Sequence, residues 1–123
     1  MRKPHPDMAR VDDRILEYTL DRGFSGSRLI SESPHIDVSQ AYISSRLRVL
    51  LGFNLIRETV GNGIYKLTHE GRLYLAGAYD VKTGEYVDGV DPDEWECDNW
   101  TEVWELTHYV AELEKRRLEH VEH

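Results

Sequence analysis

Apolar residues recur at helical spacing in the amino-terminal half of the chain. In the first such segment, residues 11–20, the positions on one side of a helix are Val11, Ile15, Leu16 and Thr19. Asp12 and Asp13 lie in the first turn, where negative charge is favourable, and Gly23 follows as a typical helix end. These features predict a first helix.

Two more helices are predicted before the first predicted strand. Residues 27–32 have room for a short helix before the next proline ends it. Over residues 39–51, which Asp37 or Ser39 can cap and Gly52 can stop, apolar residues recur at i, i+4 and i+7. This buried stripe consists of Ile43, Leu47 and Leu50.

A β-hairpin and a fourth helix are predicted next. Residues 55–60 and 64–67 read as two short strands on either side of a glycine-rich tip, Gly61-Asn62-Gly63. Thr68 can then cap a helix that runs to about residue 78.

The carboxyl-terminal part contains an irregular segment and a fifth helix. Residues 80–97 are rich in acids and glycine, show no period, and predict an irregular acidic connection. Over residues 99–118 the apolar spacing alternates between three and four, as in the seam of a coiled coil. The seam consists of Val103, Leu106, Val110 and Leu113. We therefore expect this helix to need a partner.

The order of these elements predicts a mainly α fold with a small β-hairpin, in the α+β class. The segment SQAYISSRLRVLLGFNLI (residues 39–56) resembles the recognition-helix region of winged-helix repressors of the ArsR, MarR and PadR type. The segment YKLTHEG (residues 65–71) resembles the strand that leads out of their wing. Across residues 10–80, the chain is most similar to haloarchaeal regulators like the phage φH repressor.

This resemblance implies a winged helix-turn-helix domain that binds operator DNA, usually as a dimer, with its third helix in the major groove. Together with the acidic segment and the apolar seam described above, the expected organisation has four parts: an amino-terminal arm (1–9), the DNA-binding domain (10–80), the acidic connection (81–97) and a dimerisation helix (98–123). The expected dimer contacts are Trp100, Val103, Trp104, Leu106, Val110 and Leu113.

The third helix carries the residues expected to contact DNA. With its apolar stripe turned inward, the residues left near its start are Ser39, Gln40, Ala41, Tyr42, Ser44 and Ser45. The amide of Gln40 suits bidentate pairing with adenine, whereas Arg46 and Arg48 suit phosphates.

Other candidate contacts lie on the second helix and on the hairpin. Ser27 and Arg28 begin the second helix, which could hold a phosphate or could simply be capped there. Asn62 at the hairpin tip could touch DNA or serve only the turn. Arg57 and Lys66 lie on the flanking strands, where phosphates would pass.

Charge changes this picture only in part. The formal net charge is -8, which by itself argues against a nucleic-acid partner. However, residues 1–80 hold eleven Lys/Arg and ten Asp/Glu, whereas residues 81–123 hold four and thirteen. The acidity therefore belongs to the carboxyl-terminal third. Few lysines combined with many carboxylates are typical of proteins from halophilic archaea.

Other chemistry finds little support in the sequence. A single cysteine, Cys97, excludes an internal disulfide, and its acidic neighbours favour an inert thiol. No spacing indicates a metal site or a cofactor, and no nucleophile with a base or phosphate loop indicates an enzyme. The aromatic residues Trp95, Trp100, Trp104 and Tyr109 are expected to pack in the core or at a dimer interface rather than to line a ligand pocket.

The sequence thus predicts a cytoplasmic, homodimeric, sequence-specific transcription regulator, a repressor that binds double-stranded DNA at a pseudo-palindromic operator. No leader or membrane span is expected. The alternative is a winged-helix module that binds another protein and not DNA. The absence of acids from the groove-facing part of the third helix favours DNA.

Overall fold

The computed structural model describes residues 1–59, 61 and 63–121. In chain order the helices and strands are α1 (Arg10–Arg22), α2 (Ser27–Ser31), α3 (Gln40–Gly52), β1 (Ile56–Glu58), β2 (Tyr65–Leu67), α4 (His69–Leu75), β3 (Tyr79–Asp80), β4 (Glu85–Tyr86), a 3₁₀ turn (Pro92–Glu94) and α5 (Trp100–Val121).

The predicted helix ends are confirmed at three positions. Gly23 adopts a left-handed conformation after α1, with φ of 86°. The Ser39 hydroxyl caps α3 by accepting the Tyr42 N–H at 3.1 Å, and the Thr68 hydroxyl caps α4 by accepting the Gly71 N–H at 3.0 Å. Hydroxyl caps therefore fix where α3 and α4 begin, and a left-handed glycine fixes where α1 ends.

Helix α4 is shorter than predicted, because it ends at Leu75 and not near residue 78. Gly77 turns the chain with φ of 78°. Its N–H bonds the Tyr74 carbonyl at 2.9 Å, and the Ala78 N–H bonds the Leu73 carbonyl at 2.9 Å. This is the Schellman pattern, in which a left-handed glycine closes the helix.

The core lies between α1, α3, the hairpin of β1 and β2, and α4. The stripe predicted on α3 is confirmed, because Ile43, Leu47 and Leu50 are all buried. They belong to one cluster with the buried side chains Ile15, Leu16, Leu55, Ile56, Leu73 and Tyr74. Three helices, a two-stranded antiparallel hairpin and a further helix form the α+β winged-helix arrangement that the sequence predicts.

The segment predicted to be irregular contains a second antiparallel hairpin, in which Tyr79 pairs with Tyr86 and Asp80 with Glu85. The Asp80 carboxylate accepts the Lys82 N–H at 2.9 Å, and Gly84 supplies a φ of 71°. Aspartate before a turn and glycine at positive φ are ordinary turn chemistry. The prediction failed because strands of two residues are too short to show a period.

The amino-terminal segment is packed onto the domain. Arg2 donates to Glu17 at 2.7 Å and to the Leu75 carbonyl at 3.0 Å. Lys3 forms a parallel bridge with Asp80, next to the second hairpin. This segment therefore ties α1 to the end of α4.

The apolar seam predicted on the last helix is largely covered by the core of its own chain. Val103, Leu106 and Val110 are at most 1% exposed, because α5 packs with these side chains in the core of its own chain. Half-buried Leu113 packs beside Gly89, within 3.0 Å of the position of a Cβ built there. The prediction that these residues form a dimer interface is wrong for the three buried ones, since a partner cannot reach them.

Within residues 1–59, 61 and 63–121, none of the helices is both long enough and apolar enough to cross a membrane.

The close approach of α4 to the start of the wing gives a test of this packing. A Cβ built on Gly71 would lie 2.1 Å from the Leu55 carbonyl oxygen, so Gly71→Ala must push backbone apart. We expect it to lower the free energy of unfolding by about 3 kcal/mol. Gly52→Ala is the matched control, since nothing lies within 4 Å of its Cβ. That change should be neutral or slightly stabilising. Urea unfolding of both variants would contradict the packing if their midpoints were equal.

Candidate nucleic-acid interface

The start of α3 presents an open polar surface. Gln40, Ala41, Ser45 and Arg48 are exposed and Ser44 is half-buried. The Tyr42 side chain is 42% exposed. No acidic residue occurs between residues 39 and 53. This part of the helix can therefore approach a polyanion without bringing a carboxylate of its own.

The start of α2 lies against the start of α3. The Gln40 amide nitrogen donates to the Ser27 hydroxyl at 3.4 Å, which brings together two residues predicted separately. Arg28 is largely exposed and forms an ion pair with Glu32 at 3.4 Å. Exposed pairs of this kind are weak, so the guanidinium can exchange this partner for another anion.

Arg46 is not available to bind phosphate. Its Nε donates to Asp12 Oδ1 at 2.9 Å and its Nη2 to Asp12 Oδ2 at 2.6 Å. The Arg46 side chain is 14% exposed and that of Asp12 is 0% exposed. The hydrogen bonds to Asp12 raise the pKa of Arg46 further above its ordinary value. The predicted phosphate contact is therefore wrong, since the guanidinium is used inside the protein.

The buried pair also positions the recognition surface. Asp12 Oδ2 accepts the Ala9 N–H at 2.9 Å, and Arg46 Nη2 donates to the Asp7 carbonyl at 3.0 Å. The pair thus links the start of α1 to the middle of α3. The sequence contains one local signal for Asp12, its place three residues after the cap of α1, but none for its pairing with a residue 34 positions away.

Arg48 connects α3 electrostatically with the wing. Burial and the Glu58 carboxylate raise the pKa of Tyr65, while the positive charge of Arg48 acts in the opposite direction. Glu58 and Tyr65 are opposite each other in the β1–β2 register. The positive charge of the exposed Arg48 guanidinium therefore acts on Tyr65 of the wing.

Arg57 and Lys66 lie on the other face of the same hairpin. They are opposite each other in the register and both are exposed. Because successive side chains of a strand point to opposite faces, they turn away from the Glu58–Tyr65 pair. They line a hollow of about 250 Å³ with Arg72 and with residues near the end of α1, including Gly23. The structure does not bring them next to the start of α3.

Asn62, the predicted contact at the hairpin tip, lies outside the described residues. It is therefore not counted among the contacts of the interface described above.

Cys97 is completely buried, and this burial, more than the nearby carboxylates of Glu102 and Asp98, raises the pKa of its thiol to about 11. The sequence pointed to acidic neighbours, and the structure adds the larger cause. Among the described residues, no group of three or more His, Cys, Asp or Glu side chains is arranged to hold a metal ion.

The raised pKa of Cys97 predicts a thiol that reacts only when the fold opens. At pH 8 the thiolate fraction should be far lower than for an ordinary cysteine, and the sulfur is shielded. We expect modification by a chromogenic disulfide reagent to be slow in buffer and fast in denaturant. Because the unfolded chain loses this proton first, stability should also fall as pH rises from about 9 to 11. Equal labelling rates in both conditions would contradict this burial.

The Asp12–Arg46 pair predicts that Arg46 stabilises the fold. Arg46→Met should lower the free energy of unfolding by about 3–5 kcal/mol, since it leaves a buried carboxylate without its partner. The double variant Asp12→Asn, Arg46→Met should recover part of this loss. Arg48→Met is the control, because that side chain is exposed and should change stability by no more than about 0.5 kcal/mol. Thermal or urea unfolding measures the stability of each variant. If Arg46→Met and Arg48→Met proved equally stable, the assignment of Arg46 to a buried ion pair would be refuted.

Comparison with known proteins gives one informative likeness. No protein-family model matches the chain, and no curated protein matches it. Among solved structures, the chain is similar to the PhiH1 repressor-like protein from Haloarcula marismortui, with 33% identity and a TM-score of 0.68. The likeness covers 71% of this chain and 98% of that protein's chain. Since fold and sequence agree over nearly the whole length of that protein, the chain belongs to the PhiH1 repressor-like family.

Proposed function

We propose that this protein is a sequence-specific, DNA-binding transcription regulator, a repressor that acts in the cytoplasm and binds a pseudo-palindromic operator as a homodimer. The observation that carries the proposal is the start of α3, where exposed polar and basic residues stand together without an acid. The described relative is named repressor-like, which supports the same class of function.

Gln40 is the proposed base reader. A glutamine amide pairs with adenine by accepting from N6 and donating to N7, which uses its oxygen and one N–H. The second N–H is the one that can stay on the Ser27 hydroxyl, 3.4 Å away in the free protein. Ser27 would thus hold the amide in the orientation that adenine requires.

Phosphate contacts would surround this reader. Arg48 is exposed beside the wing, and Arg28 can leave its weak pair with Glu32. The hydroxyls of Tyr42 and Ser45 can reach either a base edge or a phosphate. These contacts fix the register of the helix in the groove, and Gln40 provides discrimination between bases.

A homodimer would present two such helices to one face of DNA. Half-sites read by paired helices of this type lie about 34 Å apart, which is one turn of the duplex. Linked binding of the second helix raises the affinity well above that of one domain. This explains how a chain with net charge -8 could hold a polyanion through few contacts.

Two single variants separate base reading from phosphate binding. Gln40→Ala should cost about 1–3 kcal/mol against the cognate operator and almost nothing against random DNA, since it removes one base contact. Arg48→Ala should weaken both by similar factors, since phosphates carry no sequence information. Fluorescence anisotropy on an operator selected from genomic fragments would measure both.

Glu85→Ala is a control for this experiment, because the residue is exposed and lies on β4, outside the elements that carry the proposed contacts. It should leave the preference for operator over random DNA unchanged. Failure of genomic selection to enrich any site would instead favour a winged-helix module that binds another protein, with the start of α3 as its docking surface.

A further inference from the structure

Three cations surround the hollow between the β1–β2 hairpin and the end of α1. Arg57 and Lys66 come from the two strands of the hairpin, and Arg72 comes from α4. Among the described residues that line this hollow, Asp98 is the only acid. Three positive charges and one negative charge leave a surplus of two positive charges. This space is called the basic hollow below.

The two hairpin cations repel each other. Arg57 and Lys66 are directly opposite in the β1–β2 register, and both are exposed. Like charges at opposite positions of a strand pair are destabilising. Within residues 1–59, 61 and 63–121, neither side chain forms an ion pair. An anion bound between them would offset a repulsion that the described part of the chain leaves in place.

The third cation is held in place but not neutralised. Arg72 Nε donates to the Glu96 carbonyl at 2.8 Å, and a carbonyl orients a guanidinium without cancelling its charge. Asp98 Oδ1 lies 3.8 Å from the same nitrogen, and the Asp98 side chain is 60% exposed, so that ion pair is weak. Arg72 therefore still attracts an anion that enters the basic hollow.

Size and charge together select the class of anion. At about 250 Å³ the basic hollow is smaller than the sites of about 300–1,000 Å³ that hold drug-sized ligands, so its ligand is small. A phosphate monoester carries a charge of about -1.5 to -2 at pH 7, which matches the surplus of two positive charges. A carboxylate or a phosphodiester carries half of that. Arginine and lysine are also the ordinary partners of phosphate.

We propose that the basic hollow binds a doubly charged phosphate group, either free or as the monoester of a small molecule. Arg57 and Lys66 hold it from the two strands, and Arg72 provides the third positive charge. The bound group thereby links the hairpin to α4.

This site goes beyond the proposed function, because it uses none of the residues at the start of α3. The DNA backbone is a poorer occupant on two grounds. Each phosphodiester brings a single charge, and the Arg72 side chain is only 25% exposed, so a small anion reaches it more readily than a rigid duplex does.

Nuclear magnetic resonance of the ¹⁵N-labelled full chain tests the site with inorganic phosphate and with glycerol phosphate. At about pH 8, above the second pKa of a phosphate ester, the backbone amide signals of Gly23 and Lys66 should shift and saturate. Tighter binding of glycerol phosphate would identify a small ester as the ligand, and tighter binding of inorganic phosphate would identify the free anion. Acetate should bind at least tenfold more weakly. Acetate that binds as tightly as phosphate, or no saturable shift with either phosphate probe, would overturn the proposal.

Two double variants of equal net charge separate the basic hollow from the overall charge of the chain. Arg57→Gln with Lys66→Gln should raise the dissociation constant for phosphate at least tenfold. Arg10→Gln with Lys82→Gln is the matched control, since both residues are exposed and lie outside the hollow. The control should bind like the wild-type chain. Equal dissociation constants for the two double variants would overturn the proposal.

Thermal unfolding checks the same variants without relying on resonance assignments. A ligand that binds only the folded state raises the unfolding temperature. Phosphate should therefore stabilise the wild-type chain and the control, and leave the Arg57→Gln, Lys66→Gln variant unchanged. Without phosphate that variant should be at least as stable as the wild-type chain, because the opposed charges are gone. Equal stabilisation of all three proteins by phosphate would contradict the site.

A short duplex of random sequence, added to the phosphate-bound chain, tests the DNA backbone as the occupant. The shifts of Gly23 and Lys66 should persist, whereas displacement of phosphate by the duplex would overturn the proposal and assign these cations to DNA. A chain that selects an operator but shows no saturable phosphate binding would keep the proposed function and refute the site. A chain that binds phosphate but selects no DNA would keep the site and refute the function.

Discussion

The buried ion pair between Asp12 and Arg46 is the interaction on which the rest of the proposed interface depends. Removing two charges from water is costly, and the attraction between them offsets that cost only when every remaining donor and acceptor is satisfied. Here the carboxylate also accepts the Ala9 N–H, and the guanidinium also donates to the Asp7 carbonyl. The pair therefore holds α3 at a fixed position on α1.

The ion pair holds α3 on the side that faces α1. The opposite side of α3 is therefore left exposed to solvent. Two arginines two residues apart on one helix take opposite roles because helical geometry turns them to different sides. Arg46 faces α1 and uses its hydrogen-bond donors within the protein, whereas Arg48 faces solvent beside the wing. An open surface without acids on α3 thus coexists with a chain of net charge -8, since the excess acid belongs to residues 81–123.

Helix α5 shows how one element can complete a core and still leave large apolar side chains exposed. Its buried face, with Leu106 at the centre, closes the domain over α4. Trp104 and Leu118 lie on another side of the helix and remain exposed. A long helix on a small domain has more surface than the core of that domain can cover.

The sequence by itself determined the elements whose signals are local and repeated. The apolar period of α3, the cap at Thr68 and the glycine-rich hairpin placed the winged-helix order, because spacing and turn chemistry act over a few residues. The exposed start of α3, including Gln40, followed from the same period. Local signals therefore gave most of the fold and the open part of the candidate site.

Tertiary structure alone decided which residues meet across the chain. Arg46 reads as a surface cation in sequence, and only its approach to Asp12, 34 residues away, shows that it is internal. The stripe with Val110 reads equally well as a dimer seam or as a core face, because periodicity identifies the apolar side of a helix but not what covers it. Long-range packing chooses between such alternatives, since burial depends on neighbours that the local sequence does not contain.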